Sequence, residues 1–212
     1  MIAVHLSSIQ LEDVRLRAQA AGAGKETVLV GGRAAANLVK DHLFGLDSTR
    51  PNALGGKRTH FYSSAAKSVS NPKPTGAGVS FTINQIGLAQ RWLGGTIRAG
   101  AGISSWSGRP TVYLAIPARA ESYGKAPSEL PDLRFVPRKG GGMLIQALQT
   151  AIKWTKKGAE KAFETGGGVM FWLVKEVTQR PDPTVLPSED AIEHAAASAM
   201  ESYLTRRLAG QT

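Results

Sequence analysis

The sequence predicts an α+β protein, and three patterns lead to this fold class. Apolar residues recur at three- and four-residue steps from Val28 to Leu46, which is typical of a helix that buries one face. Val79, Phe81 and Ile83 alternate with polar residues, as in a strand with one buried face. A continuous apolar run over residues 169–174 predicts a second, more deeply buried strand.

The N-terminal half of the chain is predicted to begin with an arm over residues 1–26, followed by the long helix from Thr27. Gly31 and Gly32 lie inside this helix, and each costs about 1 kcal/mol relative to alanine. That end of the helix therefore either frays or packs closely against another backbone. Turn signals over residues 47–56 end the helix, and residues 60–69 predict one or two helical turns before the first strand.

Residues 27–212 are predicted to form a single domain with further strands at 111–117, at 133–136 and from Met143. Both alternating faces of the run 169–174 are apolar, so we expect this strand to be covered on both sides. A helix supplies one cover. The other is either the remaining helix or a neighbouring subunit, and the sequence leaves both open.

A projecting arm is predicted over residues 140–168, because a triple glycine at each end indicates a hinge. Its apolar residues suggest that the arm binds something, and with the apolar run they give four predicted subunit-interface residues: Trp154, Phe163, Met170 and Trp172. A C-terminal helix is predicted after Ser188, which is a suitable N-cap, and it ends near Gly210.

Charge is concentrated in the middle of the chain. The formal net charge is +10, and residues 51–140 hold 12 basic and 3 acidic side chains, a net +9. Such a region suits either phosphate or an acidic protein partner, and we keep both. The residues predicted to form this DNA- or partner-facing surface are Lys57, Arg58, Arg91, Arg98, Arg109, Arg138 and Lys139.

No catalytic, cofactor or metal site is predicted. The chain has no cysteine, and its four histidines lack metal-ligand spacing. The segment around Lys25 lacks the first glycine and the Ser or Thr of a phosphate-binding loop, and no nucleophile elbow or zinc-binding helix motif occurs. No segment predicts a signal peptide or a membrane span, so we expect a soluble protein synthesised in the cytoplasm. An enzyme without a recognisable motif remains an alternative.

The chain resembles the virion morphogenesis, or tail-completion, proteins of long-tailed bacteriophages. The resemblance lies in an ordered series of segments within residues 27–208: Arg50–Gly56, Thr59–Tyr62, Ile86–Ile97, Tyr113–Ala118, Phe171–Lys175 and Pro181–Pro183. Each segment is weak by itself, and the order is what makes the series specific. The stretch Gly100–Gly108 and the charged insert around Lys153–Lys161 depart from the family pattern.

The resemblance implies a small antiparallel sheet with the long N-terminal-half helix and the C-terminal helix packed on it, plus a long hairpin or projecting arm. It also implies a structural protein without catalytic residues, located in the virion and made in the host cytoplasm. Such a subunit forms a homo-oligomeric ring at the head-tail junction. The ring is expected to be a hexamer that matches the tail, although rings on the portal side have twelve copies. Its partners are the connector or head-closure protein, the tail tube protein and the genomic DNA in the lumen. The alternative from the residues themselves is a sequence-independent DNA-binding module.

Overall fold

The computed structural model describes residues 1–6, 14, 16–18, 24–52, 54–55, 58–75, 78–100, 112–154 and 160–210. The fold is α+β, as predicted. Where the sequence predicted a single domain, the structure divides the chain into two compact units. The first, here the helical unit, comprises Met1–Arg50, His60–Gly94 and Arg180–Thr212, and the second, the strand unit, comprises Pro51–Thr59 and Gly95–Gln179.

The helical unit combines helices with a three-stranded antiparallel sheet. Its helices are α1 (Gly24–Thr49), α2 (Phe61–Lys67), α3 (Leu88–Leu93) and α4 (Glu189–Leu208). Its strands are β1 (Ile2–Leu6), β2 (Lys73–Thr75) and β3 (Gly78–Ile83), in the order β1-β3-β2. The long N-terminal-half helix and the C-terminal helix are therefore both present.

Two glycines allow α1 to pack closely against its neighbours. A Cβ atom added to Gly31 would lie 2.7 Å from the Met200 sulfur on α4. One added to Gly32 would lie 2.6 Å from a methyl group of Val79 on β3 and 3.0 Å from the Pro72 ring. Of the two alternatives predicted for these glycines, a frayed helix end or close packing, the structure shows close packing.

The predicted first strand and C-terminal helix are confirmed in detail. Along β3, Val79, Phe81 and Ile83 are buried and the residues between them are only partly so. They join the core formed by the buried faces of α1 and α4. The Ser188 hydroxyl accepts a hydrogen bond from the Ala191 backbone N–H and caps α4, as its sequence position predicted.

The N-terminal segment differs from the arm predicted over residues 1–26. Ile2–Leu6 pair antiparallel with β3, with Ile2 opposite Ile83, and α1 already begins at Gly24. The apolar residues of β1 alternate with other residues over only five positions, which is too short for a clear sequence signal. Pairing with the predicted strand β3 explains why this segment is ordered.

The strand unit contains two antiparallel sheets. The smaller pairs β4 (Gly95–Arg98) with β9 (Glu176–Gln179). The larger is four-stranded, in the order β5-β8-β7-β6, and is built from β5 (Leu114–Pro117), β6 (Leu133–Arg138), β7 (Gly141–Trp154) and β8 (Glu160–Val174). The segment Ile86–Ile97, which carries part of the resemblance, contributes to α3 and β4.

The region predicted as a hinged arm is a long β-hairpin. Strands β7 and β8 pair from Gly141 opposite Val174 to Trp154 opposite Glu160, with a β-bulge at Leu144/Ile145. The glycines at 141–142 and 166–168, predicted as hinges at the two ends of an arm, lie within these strands. A Cβ atom on Gly141 would lie 2.1 Å from the Leu173 carbonyl oxygen, which shows that a close backbone approach requires this glycine.

The apolar run on β8 is only partly covered within the chain. Met170 and Phe171 are buried, but Trp172 is 37% exposed, and the residues after it are partly buried. Trp172 is thus not fully buried within the chain, and the cover by a neighbouring subunit, which the sequence left open, stays a prediction. Separately, none of the described helices is long and apolar enough to cross a membrane.

Candidate functional site

A cluster of polar and aromatic side chains in the helical unit brings together segments that are far apart in the sequence. Arg50 lies just after α1, and its Nη1 donates hydrogen bonds to the Tyr62 hydroxyl at 3.0 Å and to Asp182 Oδ2 at 2.7 Å. Its Nη2 donates to the Thr184 hydroxyl. We call Arg50, Phe61, Tyr62, Arg91, Asp182 and Thr184 the motif cluster, because all but Thr184 belong to the segments that carry the family resemblance.

Arg91 on α3 joins the motif cluster from the other side. Its Nη1 donates to the Tyr62 hydroxyl at 3.2 Å, and its guanidinium carbon lies 4.2 Å from the centre of the Phe61 ring. Its backbone carbonyl accepts a hydrogen bond from the Asp182 N–H at 3.0 Å. The Tyr62 hydroxyl therefore accepts from two arginines, and Arg91 is a partly buried packing residue of the helical unit.

Asp182 accepts the remaining hydrogen bonds of the motif cluster. Its Oδ1 accepts hydrogen bonds from the Thr184 backbone N–H at 3.1 Å and from the Thr184 hydroxyl at 2.5 Å. The bond from the Thr184 hydroxyl, followed by the one from Arg50, lowers the pKa of Asp182 from its ordinary value. The bond to Asp182 raises the pKa of Arg50, although partial burial opposes this. Both groups are thus held in their charged forms.

The polar side chains of the motif cluster bind one another, so the cluster can link the segments that carry them. Both oxygens of Asp182 and the hydroxyl of Tyr62 are already engaged with other members of the cluster. Nowhere in the described ranges do three or more His, Cys, Asp or Glu side chains come together as a group that could hold a metal ion. The cluster joins the end of α1, the start of α2, α3 and the segment that leads into α4.

A second feature is an apolar row across the four-stranded sheet of the strand unit. Ile116 pairs with Trp172, Trp172 with Met143, and Met143 with Val136, so one residue from each strand lies on the same face. Trp172 is 37% exposed and the other three are only partly buried. We call this side the Trp172 face, with members Leu114, Ile116, Arg134, Val136, Arg138, Met143, Trp172 and Val174.

The opposite side of the same sheet, here the Phe135 face, is also apolar. Phe135 on β6 pairs with Leu144, and Leu144 pairs with Phe171. Phe171 is 1% exposed, whereas Phe135 is 53% exposed. A Cβ atom on Gly142 would lie 2.3 Å from the Phe135 ring, so the ring lies directly over this glycine. The Phe135 face is therefore buried at Phe171 on β8 and exposed at Phe135 on β6.

Arginines border the Trp172 face along the edge strand β6. Arg134 and Arg138 are exposed and alternate with Val136, which places them on the same side of the strand. Arg138 pairs with Gly141, which has no side chain, and its guanidinium carbon lies 5.4 Å from the centre of the Trp172 ring. The arginine thus crosses β7 where the glycine leaves room and forms a cation–π contact.

The described members of the predicted basic surface have different surroundings. Arg91 packs inside the helical unit, and Arg98 on β4 has its Nε 3.3 Å from Glu176 Oε2 on β9. Arg58 and Lys139 are exposed in the strand unit, and Arg138 lies on the Trp172 face. The remaining two predicted members, Lys57 and Arg109, lie outside the described residues. Arg134, which borders the same face as Arg138, was missed, and the β6–β7 register is what identifies it.

The four predicted interface residues have different positions. Met170 is fully buried and so is not part of an exposed surface of the strand unit. Trp172 is partly exposed, as described above. Phe163 pairs with Ala151 and Trp154 pairs with Glu160 in the distal part of the hairpin, and their side chains lie outside the described residues.

In comparisons with known proteins, no family model, no curated protein and no solved structure matches the chain.

Proposed function

We propose that this chain is a non-enzymatic structural subunit that forms a homo-oligomeric ring at the head-tail junction of a long-tailed bacteriophage. In this role it joins the connector or head-closure protein to the tail tube, with DNA passing through the lumen. The observation that carries the proposal is the motif cluster. Segments quoted for the resemblance, at residues 50, 61–62, 91 and 182, meet through direct hydrogen bonds and ring contacts. If these segments belong to a shared architecture, we expect them to contact one another in this way.

A non-catalytic role fits the chemistry of the motif cluster. A catalytic acid or base must offer a proton position to a substrate, and activated nucleophiles need a base beside them. Asp182 and Tyr62 instead use their oxygens to hold the two arginines. This arrangement supports a tie that fixes the helical unit.

Ring formation fits the two incompletely covered faces of the four-stranded sheet. Burying apolar area contributes about 25 cal/mol per Å², so the exposed parts of Phe135 and Trp172 favour a bound state. A ring arises when one surface of a subunit meets a different surface of the next, and the rotation closes. We assign the Phe135 face to contact between subunits.

The test is the mass and shape of the purified chain, measured by light scattering and negative-stain electron microscopy. We expect a closed ring, with six copies as the leading stoichiometry. Phe135→Asp is expected to shift the chain toward monomer, whereas Phe44→Asp, at a residue that is 43% exposed on α1, should leave the ring intact. A wild-type chain that stays monomeric at about 100 µM, well above the Kd range of stable protein complexes, and binds neither connector nor tail tube would refute the proposal.

A DNA-binding module is the second candidate, and one observation favours it. The strand unit holds 14 basic and 6 acidic side chains, a net charge of +8, so most of the excess charge belongs to one unit. Its signature is binding of duplex DNA that weakens steeply as salt rises, because neutralised phosphates release counterions. Absence of binding at about 50 mM salt, where such contacts are strongest, would dismiss it.

A further inference from the structure

We infer that the Trp172 face is a docking surface for an acidic polypeptide segment that also presents apolar side chains. The inference rests on the proposed function, in which the segment belongs to a neighbouring virion protein. It goes beyond that function because it names the face and the chemistry of the partner. Three properties of the Trp172 face lead to it: an apolar centre, a basic border and a single aromatic ring.

The apolar centre is continuous across all four strands. Ile116, Trp172, Met143 and Val136 are consecutive cross-strand neighbours, and none of them is fully buried. Leu114 and Val174 extend the row by one further pair on the same side. Scattered single apolar residues on a surface need no explanation, but a contiguous patch marks an interaction site.

The arginines that border the Trp172 face favour a negatively charged partner. Arg134 and Arg138 lie along β6, and no acidic residue occurs among the strand positions paired on this face. Arg138 is exposed and makes no ion pair with any side chain in the described ranges, its ring contact being to Trp172. A guanidinium that stacks on a ring keeps its planar N–H edge available to a carboxylate. An acidic residue on the partner therefore gains a hydrogen-bonded charge pair next to an apolar contact.

The same face is a poor platform for nucleic acid. Single strands are held by successive aromatic rings on which bases stack. Trp172 is the one aromatic residue among the eight named members of this face, and Arg138 already lies against its ring. Its other apolar members are aliphatic. A second copy of this face is disfavoured as well, because a face-to-face contact would bring the exposed Arg134 and Arg138 side chains of both copies together.

The test uses the full chain and two designed fluorescent peptides of about 18 residues, each an amphipathic helix with a leucine stripe. One carries glutamate and the other lysine on the flanks, and binding is followed by fluorescence anisotropy. We expect the glutamate peptide to bind and the lysine peptide not to bind. Arg138→Glu is expected to weaken the binding by about tenfold or more, since it replaces a favourable charge pair with a repulsive one.

The matched control is Lys125→Glu, which makes the same charge change at an exposed residue of the strand unit outside the sheet. It should change the affinity by less than about twofold, the size of a screened long-range effect. Arg134→Glu provides a second variant at an exposed position, in case Arg138→Glu disturbs the Trp172 ring. Circular dichroism confirms that each variant is folded.

Several results would overturn the inference. These are no binding of the glutamate peptide, equal binding of both peptides, or equal losses for Arg138→Glu and Lys125→Glu. Duplex DNA binding that Arg138→Glu abolishes, without peptide binding, would identify a nucleic-acid face, and loss of self-association instead would identify a subunit contact. Ring formation by wild type without peptide binding defeats this inference alone, whereas peptide binding by a persistent monomer defeats the ring and leaves the docking face.

Discussion

Gly32 on α1 offers a sharp test of the packing in the helical unit. In a Gly32→Ala variant the new Cβ atom would lie 2.6 Å from one Val79 methyl group and 3.0 Å from both the other methyl group and the Pro72 ring. Real Cβ atoms essentially never approach another atom closer than 3.0 Å. A branched side chain on a strand and a proline ring cannot swing away as a methionine can. The helix or the sheet must therefore shift.

Gly45 on the same helix is the matched control, since a Cβ atom added there meets nothing within 4 Å. Alanine is favoured over glycine in a helix by about 1 kcal/mol, and both variants share this gain. The difference between them therefore reports the clash, and overpacking of a core costs about 1–3 kcal/mol. We expect Gly32→Ala to be less stable than Gly45→Ala by this amount.

Urea unfolding followed by far-ultraviolet circular dichroism measures the difference. With a slope of about 2 kcal/mol per molar urea, the midpoints should differ by roughly 0.5–1.5 M. Equal midpoints, or a higher midpoint for Gly32→Ala, would show that α1 does not approach β3 as closely as described.

Three further changes test the motif cluster and the sheet. Tyr62→Phe removes the acceptor shared by two arginines and should lower the free energy of unfolding by about 1–3 kcal/mol, measured in urea. The lowered pKa of Asp182 stabilises the fold above the ordinary aspartate range, and this stability is lost as pH falls through the folded-state value. Asp182→Asn should therefore flatten the acid limb of the stability profile, and parallel profiles would contradict this. Phe171→Ala should cost about 3–5 kcal/mol and more than Trp172→Ala, because Phe171 is buried and Trp172 is 37% exposed. Equal losses would place both side chains in the core.

Local patterns in the sequence predicted the elements whose periodicity is strong. The spacing of apolar residues identified α1, the alternation at Val79, Phe81 and Ile83 identified β3, and Ser188 marked the start of α4. The short strand β1 was missed because five residues carry little periodic signal, and its pairing with β3 is a long-range contact. Local patterns do not predict an element whose structure depends on a partner far away in the sequence.

The surface residues were harder to predict for the same reason. Arg91 was expected on a basic surface, yet it packs on Phe61, and only the fold reveals this contact. Trp172 was expected to be covered on both sides because its run is apolar throughout, although a sequence cannot tell a cover within the chain from one outside it. Arg134 became part of the Trp172 face only through the pairing of β6 with β7.

The β-bulge in the hairpin has a consequence for how this chain can vary. Because Leu144 pairs with Phe171 and Ile145 with Val169, Met170 is an extra residue that adjusts the register between the sheet and the distal ribbon. Deleting it would slip one strand by a residue and turn its distal side chains to the opposite side. Adding one residue to each strand beyond the bulge, in contrast, lengthens the ribbon by about 3.4 Å and leaves the four-stranded sheet untouched. Related chains can thus differ in the length of the hairpin while they keep the same four-stranded sheet, provided that each insertion in one strand is matched by one in the other.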